Sequence, residues 1–280
     1  MLLIKILNTQ RNMSKRIIYS VWSNLTKEHT SVNDYKKQAW KTYKDKLIKL
    51  QKEYAFRCGA DYEIFTSPIA DYTNVQFYKI FKFEELTNSY DEVVYFDLDV
   101  VPITKQNIFE SFDLNKISIY SYIIDMEYMG SVNHKKYLMK CTRENLPIDP
   151  MNRYSKMAAK KAMLLLHNLN GNDEICNTGV FGGNKKAAAT LDFSGNMKMM
   201  EKTLTEAKND TLYPDVYSQA WKKNNEIYFS FLLEKFNIDF NNIGIQWNYI
   251  LDGVVLKYTP GAHLIHQVNK DFHETISRLE

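Results

Sequence analysis

The sequence predicts an α/β domain with a mostly parallel central sheet flanked by helices. Before residue 102, three short β-prone runs alternate with two long helical patterns. That order, strand–helix–strand–helix–strand, favours parallel pairing and right-handed crossovers. Composition agrees. Of 280 residues, 45% are apolar and 25% charged, with few Gly and Pro, an ordered balance ample for a large core.

Arg16-Ile-Ile-Tyr-Ser-Val-Trp22 reads as the first buried strand. A long helix follows from Val32 to Arg57, with Val32, Tyr35, Ala39, Tyr43, Leu47, Leu50 and Tyr54 at spacings of three and four, and Gly59 placed to end it. Tyr62–Phe65 is the second strand, terminated near Ser67-Pro68. The second helix runs from Val75 to Leu86, with Phe77, Ile80, Phe81 and Leu86 inward. Glu92–Phe96 is the third strand, its Val93, Val94, Tyr95 and Phe96 an apolar run. Asp97 and Asp99 stand where it emerges, and Pro102, lacking a donor N–H, closes the pairing.

Beyond Pro102 the pattern loosens. Ile117–Ser121 is a fourth strand, and residues 124–154 lack periodicity and form an extended connection over the site. Ser155–Leu169 reads as a helix with Ser155 as its N-cap, and Asn170-Gly-Asn-Asp173 as a turn. Ile175–Gly183 is a strand interrupted by small residues, where glycine marks the close approach of another backbone or a ligand. Met197–Lys208 and Glu226–Phe236 are helical; Val254–Tyr258 and Ala262–His266 are late strands. With no internal repeat, low-complexity tract or linker, residues 13–280 read as one domain. Residues 1–12, ahead of Met13, read as a loose N-terminal extension.

A net charge of +3 does not ask for nucleic acid, and the Lys-rich run from Lys36 to Lys52 is interleaved with apolar residues, as on a solvated helix face. Cys58, Cys141 and Cys176 are odd in number and contain no Cys-x-x-Cys pair. That argues against a disulfide framework or cysteine zinc site and fits a reducing, cytoplasmic compartment. No apolar run approaches membrane-spanning length, and Met1–Leu7 is too short for a signal sequence. The 19 Tyr and 15 Phe suit stacking on rings or sugars, though an aromatic core accounts for them equally well.

Asp97 and Asp99 carry the chemistry. Side chains at i and i+2 of a strand share a face, so two carboxylates at a sheet lip can hold one divalent ion. The plainer alternative is a pair of solvated acids. Three of the six histidines, His263, His266 and His273, fall in the last twenty residues. His266 follows an apolar strand and precedes Lys270, which sets a metal ligand beside a cation that reaches a phosphate. Mixed carboxylate and imidazole ligation favours Mn²⁺ over Mg²⁺. Asn177-Thr-Gly-Val180 suits hydrogen bonding to a polyhydroxylated ligand, or else a tight strand crossing. Glu226, in the first turn of its helix after Asn224-Asn225, is a dipole-favoured acid, a catalytic carboxylate or an acceptor-binding group.

These residues together resemble the GT-A glycosyltransferases, particularly the glycogenin-like family 8 group and neighbouring Asp-x-Asp families. The ordered set is Asp97/Asp99 in Tyr95-Phe-Asp-Leu-Asp-Val-Val-Pro102, then Asn177-Thr-Gly-Val180, Asn225-Glu226, Trp247-Asn248, and His266 with Lys270. The likeness runs from about Arg16 to Lys270. It implies a Rossmann-like GT-A domain and a hexosyltransferase type of enzyme using a nucleotide-sugar donor, UDP rather than GDP, and a carbohydrate acceptor. It further implies that Asp97, Asp99 and His266 ligate Mn²⁺ or Mg²⁺ and that Lys270 contacts the diphosphate. Tyr19, Ser20, Val21 and Trp22 would hold the base, Lys79 and Leu98 would join the donor site, and Asn177 and Glu226 would act in catalysis beside Asp97 and Asp99. Two features depart from the family pattern: Asn224-Asn225-Glu226 stands for Asp-Gln-Asp, and no Pro-Trp follows Lys270. Two other readings share the residues. One is a HAD-like Mg²⁺ phosphatase with Asp97 as nucleophile, although that motif opens its fold whereas here two strand–helix units precede it. The other is an inactive carbohydrate-binding protein.

Overall fold

Alternation along each strand of the central sheet divides the core. Ile17 and Tyr19 of β1 (Arg16–Trp22), with Val93 and Tyr95 of β3 (Glu92–Phe96), point to one face, while Ile18, Val94 and Phe96 point to the other. Both faces are covered, as parallel sheets require. The computed structural model describes residues 14–23, 34–67, 72–123, 149–209, 224–251, 261–268, 270–277 and 279. The expected extension at 1–12 and the strand at Val254–Tyr258 lie outside the described residues, as do 124–148 of the connection expected at 124–154, whose last six residues are helical instead.

Between β1 and β3 come α1 (Asp34–Arg57), β2 (Asp61–Thr66) and α2 (Tyr72–Leu86). β1 pairs in parallel with both β2 and β3, so the chain steps outward to β2 and returns across β1. The carboxyl ends of β1 and β3 therefore flank a topological switch point, where open α/β sheets bind ligands. The six strands run β2-β1-β3-β6-β5-β7. β6 (Glu174–Gly183) is antiparallel to β3 and to β5 (Ile117–Ile123), and β7 (Phe240–Asn242) is parallel to β5. The sheet is thus mostly parallel, with one long antiparallel strand driven through it beside β3.

A second sheet has the order β4-β9-β8, from β4 (Val100–Pro102), β9 (Leu264–Gln267) and β8 (Tyr249–Leu251). Val100 lies opposite His266. This corrects the expectation for Pro102: it ends an edge strand that begins after the acids, where its missing N–H is tolerated. β9 starts two residues later and ends one residue later than the expected Ala262–His266.

α4 (Asp149–Leu165), α5 (Lys185–Leu191), α6 (Phe193–Asn209) and α7 (Asn225–Lys235) pack with α2 on one face of the large sheet. The end of α1 and α3 (Ile108–Ser111) cover the other. Ala39 and Leu47 of α1 join the small sheet and α8 (Phe272–Ser277) in a third cluster. Helix α1 ends as expected: Gly59 adopts φ +67° and the Ala60 N–H reaches the Ala55 carbonyl. Helix α4 corrects the expectation at Ser155, which lies inside the helix rather than capping it. The helix starts at Asp149-Pro150, where the missing proline N–H leaves no intrahelical bond unmade. Helix α6 begins four residues earlier than expected and α2 three, whereas α7 fits to within one residue.

Candidate active site

The chain leaves β3 through a turn, in which the Val100 N–H donates to the Asp97 carbonyl at 2.9 Å. Asp97 and Asp99 are brought together by this turn and not by strand alternation. Gln51 of α1, with no exposed surface, holds it: its amide donates to the carbonyls of Asp97 (3.0 Å) and Val100 (2.8 Å). The Gln51 oxygen in turn accepts from Ser20 and Tyr62, each at 2.8 Å. On the other side the Asp97 N–H donates to the Gly179 carbonyl at 2.7 Å. The large sheet is irregular here: β5 and β6 lose register between Ile119, opposite Phe181, and Tyr120, opposite Asn177. Such bulges re-aim side chains.

Each acid has one oxygen engaged by the protein and one free. Asp97 Oδ1 accepts from Lys79 (3.1 Å) and Tyr95 (2.5 Å), while Oδ2 stands 3.6 Å from His266 Nε2. Asp99 Oδ2 pairs with Lys270, while Oδ1 stands 3.5 Å from the same nitrogen. Asp97, Asp99 and His266 are the one such group of metal-capable side chains among the described residues, with ligand atoms within 4.8 Å of one another. Two ligands about 2.1 Å from one ion stand about 3.0 Å apart at right angles and about 3.4 Å apart at tetrahedral angles. The two distances from His266 Nε2 are close to that spacing, so the residues present fit a divalent cation.

Electrostatics keep these roles apart. Burial pushes the Asp99 pKa up, but the neighbouring Lys270 ammonium overcomes it and holds the carboxyl well below its usual range. Burial, with the Asp97 charge beside it, raises the Tyr95 phenol well above its usual range, so Tyr95 remains a donor.

Behind His266 lies a buried polar network. Its Nδ1 is 3.1 Å from Asn248 Oδ1, and Asn248 Nδ2 donates to Asn177 Oδ1 at 2.8 Å. Asn177 Oδ1 also accepts from the Gly179 N–H (2.9 Å), and Asn177 Nδ2 donates to Glu226 Oε1 (2.9 Å). Glu226 pairs with Lys156 of α4. The cap of α7 positions Glu226, since Asn224 Oδ1 accepts from its N–H at 2.9 Å. Gly179 gives the His266 ring its place: a Cβ there would lie 2.2 Å from the ring Cε1.

The expected donor residues divide. Lys79 and Lys270 reach the site, each on one acid. Tyr19 and Ser20 have no exposed surface and bond to the Lys79 carbonyl and Gln51, which corrects their expected place at a nucleotide base. Val21 and Trp22 are half-buried, Trp22 packing edge-on against Trp40 at 5.6 Å with Lys44 4.0 Å from its ring. Leu98 is buried and offers only its backbone. His263 packs at a tilt against Trp247, ring centroids 4.5 Å apart, and His273 is exposed, so neither joins the triad. Sequence reasoning did not assign roles to Gln51, Tyr95, Asn248 or Lys156. Gln51 had a signal: it is an amide among the inward positions Leu47, Leu50 and Tyr54 of an apolar helix face.

No protein-family model matches the chain, and no curated protein does. Among solved structures, it resembles a glycosyltransferase involved in the glycosylation of the major capsid of PBCV-1, at 13% identity and TM-score 0.45, over 93% of this chain and 99% of that one. It also resembles mouse xyloside xylosyltransferase 1 at 10% identity and TM-score 0.44, over 91% and 98%. The galactosyltransferase LgtC, in complex with donor and acceptor sugar analogues, follows at 11% identity and TM-score 0.43, over 94% of each. At these values the likeness is one of general layout.

Proposed function

We propose that residues 13–280 form a cytoplasmic, metal-dependent GT-A glycosyltransferase of hexosyltransferase type. It moves a sugar from a nucleotide-diphospho-sugar, a UDP-sugar by the resemblance of its motifs, to a glycan or other hydroxyl acceptor. The observation that carries this reading is the convergence of Asp97 Oδ2, Asp99 Oδ1 and His266 Nε2, each acid's other oxygen being held by a lysine. Among the described residues no helix is long and apolar enough to cross a membrane.

Two carboxylates and two ammonium groups cancel in charge, so the site accepts a divalent cation and a diphosphate as a nearly neutral pair. A bound metal ion would neutralise the diphosphate as the anomeric C–O bond breaks and the acceptor oxygen takes the sugar. The chain's own residues position and stabilise. Lys79 and Tyr95 fix Asp97 so that Oδ2 stays aimed inward. Lys270 stands at the acid pair, within reach of a bound phosphate. Trp22 and Val21, at the end of β1, offer the half-exposed apolar surface on which a base can rest. The phosphatase reading receives less support, because Asp97 has one oxygen already tied to Lys79 and Tyr95 and the third ligand is a histidine, not an acid.

A thermal-shift screen of UDP, GDP and their sugars, with and without Mn²⁺, tests the proposal. A ligand at about 100 times its Kd stabilises the protein by about 2.7 kcal/mol, a rise of about 5–10 °C for a domain of this size. No shift with any nucleotide, or the same shift in Asp97→Ala/Asp99→Ala, overturns it. Phosphatase activity lost in Asp97→Asn supports the alternative enzyme, and nucleotide-independent sugar binding supports an inactive binder.

A further inference from the structure

The hydrogen bonds behind His266 run in one direction, and both of their anchors are groups with no choice of role. The Gly179 N–H can only donate, and it donates to Asn177 Oδ1 at 2.9 Å. The Glu226 carboxylate only accepts: burial pushes its pKa up, but Lys156, Lys79 and the Thr178 backbone hold it below its ordinary value. Asn177 is therefore locked, with its amide nitrogen toward Glu226 and its oxygen toward Gly179 and Asn248. Asn248 must then present its nitrogen to Asn177 and its oxygen to His266 Nδ1. Only an N–H on Nδ1 satisfies that oxygen. A neutral imidazole protonated at Nδ1 carries its lone pair on Nε2, the atom that faces Asp97 and Asp99.

We infer that Glu226, acting through Asn177 and Asn248, is a positioning residue that fixes the tautomer of His266 and leaves Nε2 free to take a divalent cation. Glu226 is held on both sides, Oε1 accepting from Asn177 and Oε2 from Lys156. All four members of the chain are buried, Asn248 completely. The Nδ1–H follows from this hydrogen-bond chain alone; that Nε2 keeps a lone pair, and what it serves, rests on the metal-site reading above.

The test uses the full-length, metal-free protein labelled with ¹⁵N-histidine, at a pH raised until the ¹⁵N shifts show the His266 ring neutral. Two-bond ¹H–¹⁵N spectra distinguish the tautomers, and His266→Gln assigns the signal. Wild-type His266 is expected to carry its proton on Nδ1. In Asn248→Ala and Glu226→Ala the ring is expected to lose that preference, moving its proton toward Nε2 and the carboxylates. Mn²⁺ affinity, read by calorimetry, should fall about 10–100-fold, the range for losing an outer-shell partner. Glu226→Gln combined with Lys156→Met, in which the amide oxygen accepts from Asn177 and no ammonium faces the amide nitrogen, should keep the tautomer and bind Mn²⁺. A wild-type Nε2–H tautomer, or an unchanged Nδ1–H tautomer in both alanine variants, overturns the inference. The wild-type spectrum does so without relying on any variant's folding. An Nδ1–H ring that moves in the variants, in a protein that binds no Mn²⁺, overturns the metal-site reading alone and leaves the relay supported.

Discussion

At Gly179 a hydrogen atom is all that separates the strand from the His266 ring. Gly179→Ala places a methyl 2.2 Å from Cε1 and 2.4 Å from Nδ1. Overpacking of this kind costs about 1–3 kcal/mol, to be read from urea unfolding, and the displaced ring should also abolish the Mn²⁺-dependent thermal shift. Gln51 is the other small key. Gln51→Leu leaves the buried carbonyl of Val100 and the part-buried one of Asp97 without that donor, the first alone expected to cost about 1–3 kcal/mol in urea unfolding. Glu226 makes a pH prediction. Its folded pKa lies below the unfolded value of about 4.3, so its stabilisation is complete above that value and is lost as pH falls through and below it. In Lys156→Met the largest opposing charge is gone, so the acid limb of the urea midpoint against pH should move to higher pH. An unmoved limb would contradict the pairing.

At the scale of elements, β6 and α7 hold the polar network between them. The sequence made both legible: Ile175–Gly183 read as a strand crowded by small residues, and Glu226–Phe236 as a helix. What it left open was why the small residues were there. The close approach at Gly179 is made by a histidine 87 positions downstream, on β9, and no local pattern announces that partner. Helix α7 begins at an asparagine cap, so Asn224→Ala should cost about 1 kcal/mol in urea unfolding. Because the cap also sets the first turn, the same variant should weaken Mn²⁺ binding through Glu226. Ser155 looks a stronger cap than Asp149-Pro150, yet α4 starts nearly two turns earlier than Ser155 suggests.

At the scale of the molecule, the large sheet is packed through its middle strands. Phe181 of β6 has no exposed surface and meets Tyr95, Phe83 and Phe229, with ring centroids 5.1, 5.4 and 5.8 Å away. Phe181→Ala is expected to cost about 3–5 kcal/mol, measured by denaturant unfolding. The sequence by itself determined the α/β class, the parallel start of the sheet and the identity of the acid pair, because these depend on periodicity and on residues adjacent in the chain. It also named His266 and Lys270, through the order of motifs. Only the tertiary structure decided how the acids meet, which oxygens remain free, that Tyr19 and Ser20 belong to the interior, and that Asn177 and Glu226 stand behind His266. Those outcomes depend on hydrogen bonds between residues tens to hundreds of positions apart, whose partners are chosen by packing and leave no period in the sequence.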